Sequence, residues 1–103
     1  MSGFTRILSA SELPADNQAR EVECPGRTLC IANVSGEYSA MDNVCPHRDG
    51  PLGQGMVEYG KVVCPWHGWA FDPKTGVAEH SARARVQVFP LKIEGDDVLV
   101  DLG

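Results

Sequence analysis

Cys45-Pro46-His47 and Cys64-Pro65-Trp66-His67 each set one thiol and one imidazole within a few residues of each other. Sixteen residues lie between His47 and Cys64, so the two pairs belong to separate loops. A lone Cys-x-His would mean little, whereas two such pairs, each beside a proline in a turn-rich stretch, form a specific metal-ligand set. Two sulfurs and two nitrogens suit a [2Fe–2S] cluster in which Cys45 and Cys64 take one iron and His47 and His67 the other. Exchanging two thiolates for neutral imidazoles removes two negative charges and eases reduction. Such centres lie at roughly −150 to +300 mV, against about −400 mV for plant-type ferredoxins. The same four residues could instead hold one tetrahedral Zn²⁺. Zinc sites, however, more often use Cys-x₂₋₄-Cys knuckles or His-x₃₋₅-His pairs.

The elements that must carry these loops read as strands. Phe4–Leu8 is a first short strand, and Ser9–Leu13 a turn before Pro14. Arg20–Cys24 and Thr28–Val34 pair across Pro25-Gly26, and Ser35-Gly36 turns the chain into Glu37–Asp42, so that the opening third is expected to be a β-meander. From Asn43 to Gly76 the chain is crowded with Gly, Pro, Cys, His and Trp. Met56–Glu58 and Lys61–Val63 are strands turning at Tyr59-Gly60, and Trp69–Asp72 is a third short piece ended by Pro73–Gly76. Loops this rich in special residues build sites rather than cores. The last third returns to sheet, with Val86, Val88, Leu91 and Ile93 bracketing Pro90 at a strand start or edge, and a turn at Gly95-Asp96-Asp97 into Val98–Asp101. Nothing shows sustained 3.6-residue periodicity, so the fold class is all-β.

The totals agree. A length of 103 residues fits one domain, and 11 glycines with 7 prolines favour turns and short strands over long helices. The net charge of −5 and the absence of a basic run argue against a nucleic-acid partner. The acidic excess fits a transient protein partner with a basic patch, or serves only to keep a small protein in solution. No stretch approaches the ~20 apolar residues of a membrane span, and the N-terminal residues lack a signal-peptide core, so a cytoplasmic protein is expected. Among four cysteines, metal ligation beside the histidines is then a better reading than two disulfides.

The two motifs and their surroundings, Cys-Pro-His-Arg and Cys-Pro-Trp-His-Gly-Trp, resemble those of the Rieske family, over nearly the whole chain. The resemblance implies a single domain of layered antiparallel β-sheets. Its base would comprise residues 1–42 and 77–103, and a small two-loop subdomain of about 43–76 would hold one [2Fe–2S] cluster through Cys45, His47, Cys64 and His67. Members in quinol-oxidising complexes tie the two loops with a disulfide, and the matching positions here are Gly50 and Trp66. High-potential members place a Ser and a Tyr, whose hydroxyls donate to the cluster sulfurs, where this chain has Trp69 and Phe71. Fewer donors imply the low end of the range, near about −150 mV.

Low potential and small size resemble the Rieske ferredoxins of bacterial multicomponent oxygenases. These one-electron carriers take electrons from a flavin-dependent reductase and deliver them to a terminal Rieske oxygenase acting on aromatic compounds. The oxygenase itself needs a mononuclear iron site of two His and a carboxylate, and after His67 only His80 remains. A carrier rather than an enzyme is therefore expected, with the small subunit of assimilatory nitrite reductase or a carrier for another pathway as the alternative. The family also implies that Pro51-Leu52-Gly53 lays a stiff flap over the cluster.

The remaining residues carry less. Trp66 and Trp69 flank His67 and either cover the cluster and offer a docking surface or only pack the loops together. Arg48 and Asp49 follow the first ligand pair, where they set encounter charge or are simply solvated. His80 reads as a surface histidine, and Arg83 with Arg85 as a small basic pair. Cys24 and Cys30 lie on opposite arms of a hairpin without facing each other, and read as small, partly buried hydrophobes rather than a disulfide.

Overall fold

The alternating apolar runs fold into ten strands among the described residues, which are 3–24, 26–45, 50–66, 68–79 and 84–102 of this computed structural model. In chain order these are β1 (Phe4–Ser9), β2 (Gln18–Cys24), β3 (Arg27–Val34), β4 (Glu37–Asp42), β5 (Met56–Glu58), β6 (Lys61–Val63), β7 (Ala70–Phe71), β8 (Val88–Phe89), β9 (Leu91–Glu94) and β10 (Asp97–Asp101). They form three antiparallel sheets, ordered β1-β10-β9, β2-β3-β4-β8 and β5-β6-β7.

The four-stranded sheet lies between the other two. Strand β3 is buried over the unbroken run Leu29–Asn33, as expected of a strand covered on both faces. Its side chains alternate between two cores. Leu29 and Ile31 join Val22, Ala40 and Phe89 against Leu8, Val98 and Val100 of the β1-β10-β9 sheet. Cys30, Ala32 and Met41 face the other way, against Val57, Val62 and Phe71 of the small sheet and against Cys45 and Cys64. The expected layered all-β architecture is therefore present.

Strand β1 departs from the expected meander. It pairs with β10, at the far end of the chain, and not with β2. Local pattern sets its strand character, but its partner is chosen by burying Leu8 beside Val98 and Val100, which no local signal encodes. The segment after it is a 3₁₀ turn, Ala10–Glu12, closed by a capping box in which the Ser9 N–H donates to Glu12 Oε1 at 3.0 Å. Asp97, expected in a turn, is the first residue of β10 and pairs with Glu94. Pro90 stands where the chain leaves the central sheet at β8 and enters the outer one at β9, and its carbonyl accepts the Asp101 N–H at 3.0 Å. A residue without an N–H costs nothing at such a switch.

Candidate metal centre

The small sheet is arranged to hold two loops side by side. The first loop runs from β4 to β5 and the second from β6 to β7. Met56, which ends the first loop, pairs with Val63, which begins the second. The β5–β6 turn lies at the other end of the hairpin, with Tyr59 at φ 50° and Gly60 at φ 75°. Two successive positive φ values match the twist of a tight antiparallel hairpin.

Both loops close in the same way. The Cys45 N–H donates to the Gly50 carbonyl at 2.9 Å, and the Cys64 N–H to the Trp69 carbonyl at 2.7 Å. Each cysteine thus opens a loop that returns to it five residues later. Their side chains enter one hydrophobic core, Cys45 0% and Cys64 1% exposed, with Leu52, Val62 and Phe71 around them. The Trp66 N–H points at Cys64 Sγ at 3.4 Å, a donor placed to stabilise negative charge on that sulfur. None of the four cysteines forms a disulfide. His47 and His67 lie outside the described residues, as do Arg48, Asp49, His80 and Arg83. Two buried, reduced thiols on paired loops, one with a backbone donor at its sulfur, fit a thiolate-held iron centre.

Three glycines let the first loop approach three different neighbours. A Cβ on Gly50 would lie 2.6 Å from Cys64 Sγ and 3.3 Å from Trp66 Cβ. One on Gly55 would meet the Val63 carbonyl and Pro65. One on Gly53 would lie 2.5 Å from Glu21 Cγ and 2.7 Å from the Glu21 backbone nitrogen, on the edge of β2. Of the segment expected as a flap, Pro51 caps a 3₁₀ turn, Leu52–Gln54, and Leu52 is turned fully into the core.

The tryptophans have separate environments. Trp66 is 47% exposed, whereas Trp69 is half-buried with its ring centroid 6.5 Å from that of Phe71. Phe71 is completely buried. Cys30, paired with Glu21 across β2 and β3, has its thiol pushed up to about 12, first by burial and then by the Glu21 charge. It is an inert core residue, as the sequence led us to expect.

A family model of the Rieske [2Fe-2S] domain matches residues 3–90. The chain belongs to the Rieske family. A Rieske domain implies a [2Fe–2S] cluster. Over 100 residues the chain is 37% identical to the ferredoxin component of biphenyl 2,3-dioxygenase from Rhodococcus jostii (strain RHA1), spanning 96% of this chain and 92% of that protein. The Sphingomonas yanoikuyae B1 ferredoxin superposes with a TM-score of 0.86 at 27% identity, over 98% of this chain and 100% of the other. A structure of reduced oxygenase in complex with oxidized ferredoxin, from carbazole 1,9a-dioxygenase, matches with a TM-score of 0.80 at 25% identity over 94% and 91% of the two chains. This Rieske protein is an electron carrier of the ferredoxin kind and not itself a catalyst. Among the described residues no helix is long and apolar enough to cross a membrane.

Proposed function

We propose that Cys45, His47, Cys64 and His67 hold one [2Fe–2S] cluster per chain. The protein then passes single electrons from a flavin-dependent ferredoxin reductase to a terminal Rieske oxygenase of an aromatic-ring-hydroxylating system, in the cytoplasm. The observation that carries this reading is the pair of matched loops, each opened by a buried cysteine and closed back on it, in a chain with the dimensions of a dioxygenase ferredoxin component. When bound, such a cluster takes up and gives back one electron.

The chain's own residues provide the rest. Cys45 and Cys64 lie in apolar surroundings that exclude water from the sulfurs. The Trp66 N–H supports negative charge at Cys64 Sγ. Trp66 and Val44, 47% and 46% exposed beside the two cysteines, give the ligand end an apolar surface suited to brief docking. Phe71 and Trp69 bring no hydroxyl to the site, which favours a potential near about −150 mV. All three small-sheet strands fall between residues 56 and 71, which supports one domain with a cluster subdomain of about 43–76 on a base of 1–42 and 77–103.

Film voltammetry of the iron-loaded protein tests the reading. A one-electron wave near about −150 mV is expected. A wave a few hundred millivolts higher would overturn the account of Trp69 and Phe71. No wave, with zinc bound in place of iron, would overturn the cluster. Replacing His47 or His67 with Ala must abolish the Rieske EPR signal of the reduced protein, and its survival would remove that histidine from the ligand set.

A further inference from the structure

Glu21 lies on the edge strand β2, far in sequence from either motif, yet its carboxylate grips both ends of the first ligand loop. Oε2 accepts from Asn43 Nδ2 at 2.6 Å, and Oε1 from Gln54 Nε2 at 3.0 Å. Residues 43 and 54 bracket the Cys45–Gly50 loop. Asn43, itself 6% exposed, extends the grip: its Oδ1 accepts the Gly53 N–H at 2.6 Å, its carbonyl the Leu52 N–H at 2.8 Å, and its own N–H reaches the Thr28 carbonyl at 3.2 Å. Gly53 has no Cβ because one would collide with Glu21 and Asn43 Oδ1.

The orientation of Glu21 follows from register. It is paired with Cys30, so the two side chains share a face of the central sheet, the one turned towards Cys45 and Cys64. The Cys30 thiol on that face is raised first by burial and second by the Glu21 charge across the strand pair. A fixed negative charge on this side disfavours adding an electron nearby.

We infer that Glu21 is a positioning residue for the metal centre: it clamps the two ends of the first ligand loop together and, through its charge, holds the reduction potential down. This rests on the assignment of Cys45 and His47 as ligands, and the experiment separates the two. Glu21→Ala removes the clamp. Glu21→Gln removes only the charge, because its oxygen still accepts from Asn43 and its amide can donate to a turned Gln54 side chain.

In iron-loaded protein, hydrogen exchange at the Leu52 and Gly53 amides is expected to be at least about tenfold faster in Glu21→Ala, with iron release to a chelator accelerated in parallel. Glu21→Gln should exchange and release iron as the parent does, while its potential rises. Unchanged amide exchange and iron release in Glu21→Ala would overturn the clamp, and an unchanged potential in Glu21→Gln would overturn the role of the charge. Should Glu21→Ala not fold, Gln54→Ala removes one arm of the grip, and the same exchange measurement decides. A parent protein that binds no iron would instead refute the ligand assignment, leaving the amide exchange as the reading of the clamp.

Discussion

Gly50 rests against Cys64: a Cβ at Gly50 would lie 2.6 Å from the Cys64 sulfur. The first loop therefore meets the second through bare backbone, at the sulfur proposed above to bind iron. Gly50→Ala has no flexible neighbour to displace, since the next contacts are Trp66 Cβ and ring carbon Cδ2, both at 3.3 Å. We expect it to cost about 1–3 kcal/mol through overpacking and to lower the iron content per chain. Urea unfolding and iron analysis check both, and full iron content at parental stability would mean that the loops part easily.

Restoring hydroxyls should raise the potential. Phe71 is fully buried among the residues around Cys45 and Cys64, and Trp69 packs on its ring. Phe71→Tyr or Trp69→Ser places an O–H on this side of the site. One hydrogen bond to a charged acceptor, about 1.5 kcal/mol, corresponds to a rise of about 60 mV for one electron. Voltammetry showing no rise in either variant would discredit the missing-hydroxyl account.

Acid should loosen the N-terminal turn. The Glu12 carboxyl is held below its ordinary value of 4.5, chiefly by the Ser9 backbone N–H and further by Arg20. Its folded pKa is lower than its unfolded one, so the stabilisation is present above about pH 4.5 and is lost as the pH falls through the folded value. Glu12→Gln should flatten the fall of the stability curve below about pH 4.5. Parallel curves for the two proteins would show that the capping box does not contribute.

The tip of the small hairpin offers a stabilising change. Tyr59 holds φ 50° while 99% exposed, a conformation that Asn adopts at less cost. Tyr59→Asn is expected to add about 0.4–1 kcal/mol, a gain of a few degrees in Tm. A fall in Tm would show that the ring makes a contact worth more than the backbone relief.

How much of this was legible in the sequence differs between residues for physical reasons. That Cys45 and Cys64 open two loops was legible, because the prolines beside them mark turns; that both enter one core is a finding of the structure. Strands β2 to β7 were legible from alternation and from turn residues such as Gly36 and Gly60. The β1–β10 pairing was not, because it joins the two ends of the chain through burial of Leu8. Glu21 carried no signal either: it sits among Arg20, Glu23 and other polar residues of an edge strand. Only the register opposite Cys30 turns it towards the ligand loop. Gly50, Gly53 and Gly55 were visible as a turn-rich run, but what each one touches is a matter of tertiary approach.

The central sheet has a consequence for how this protein can change over generations. Leu29, Ile31 and Ala40 look into one core, and Cys30, Ala32 and Met41 into the other. The backbone between them works as a bulkhead. Substitutions among Leu8, Val98, Val100 and Phe89 are expected to alter melting behaviour while leaving the packing around Cys45 and Cys64 in place. A lineage could adapt its carrier to a hotter or colder habitat on one side of the wall while its electrical setting is inherited intact on the other.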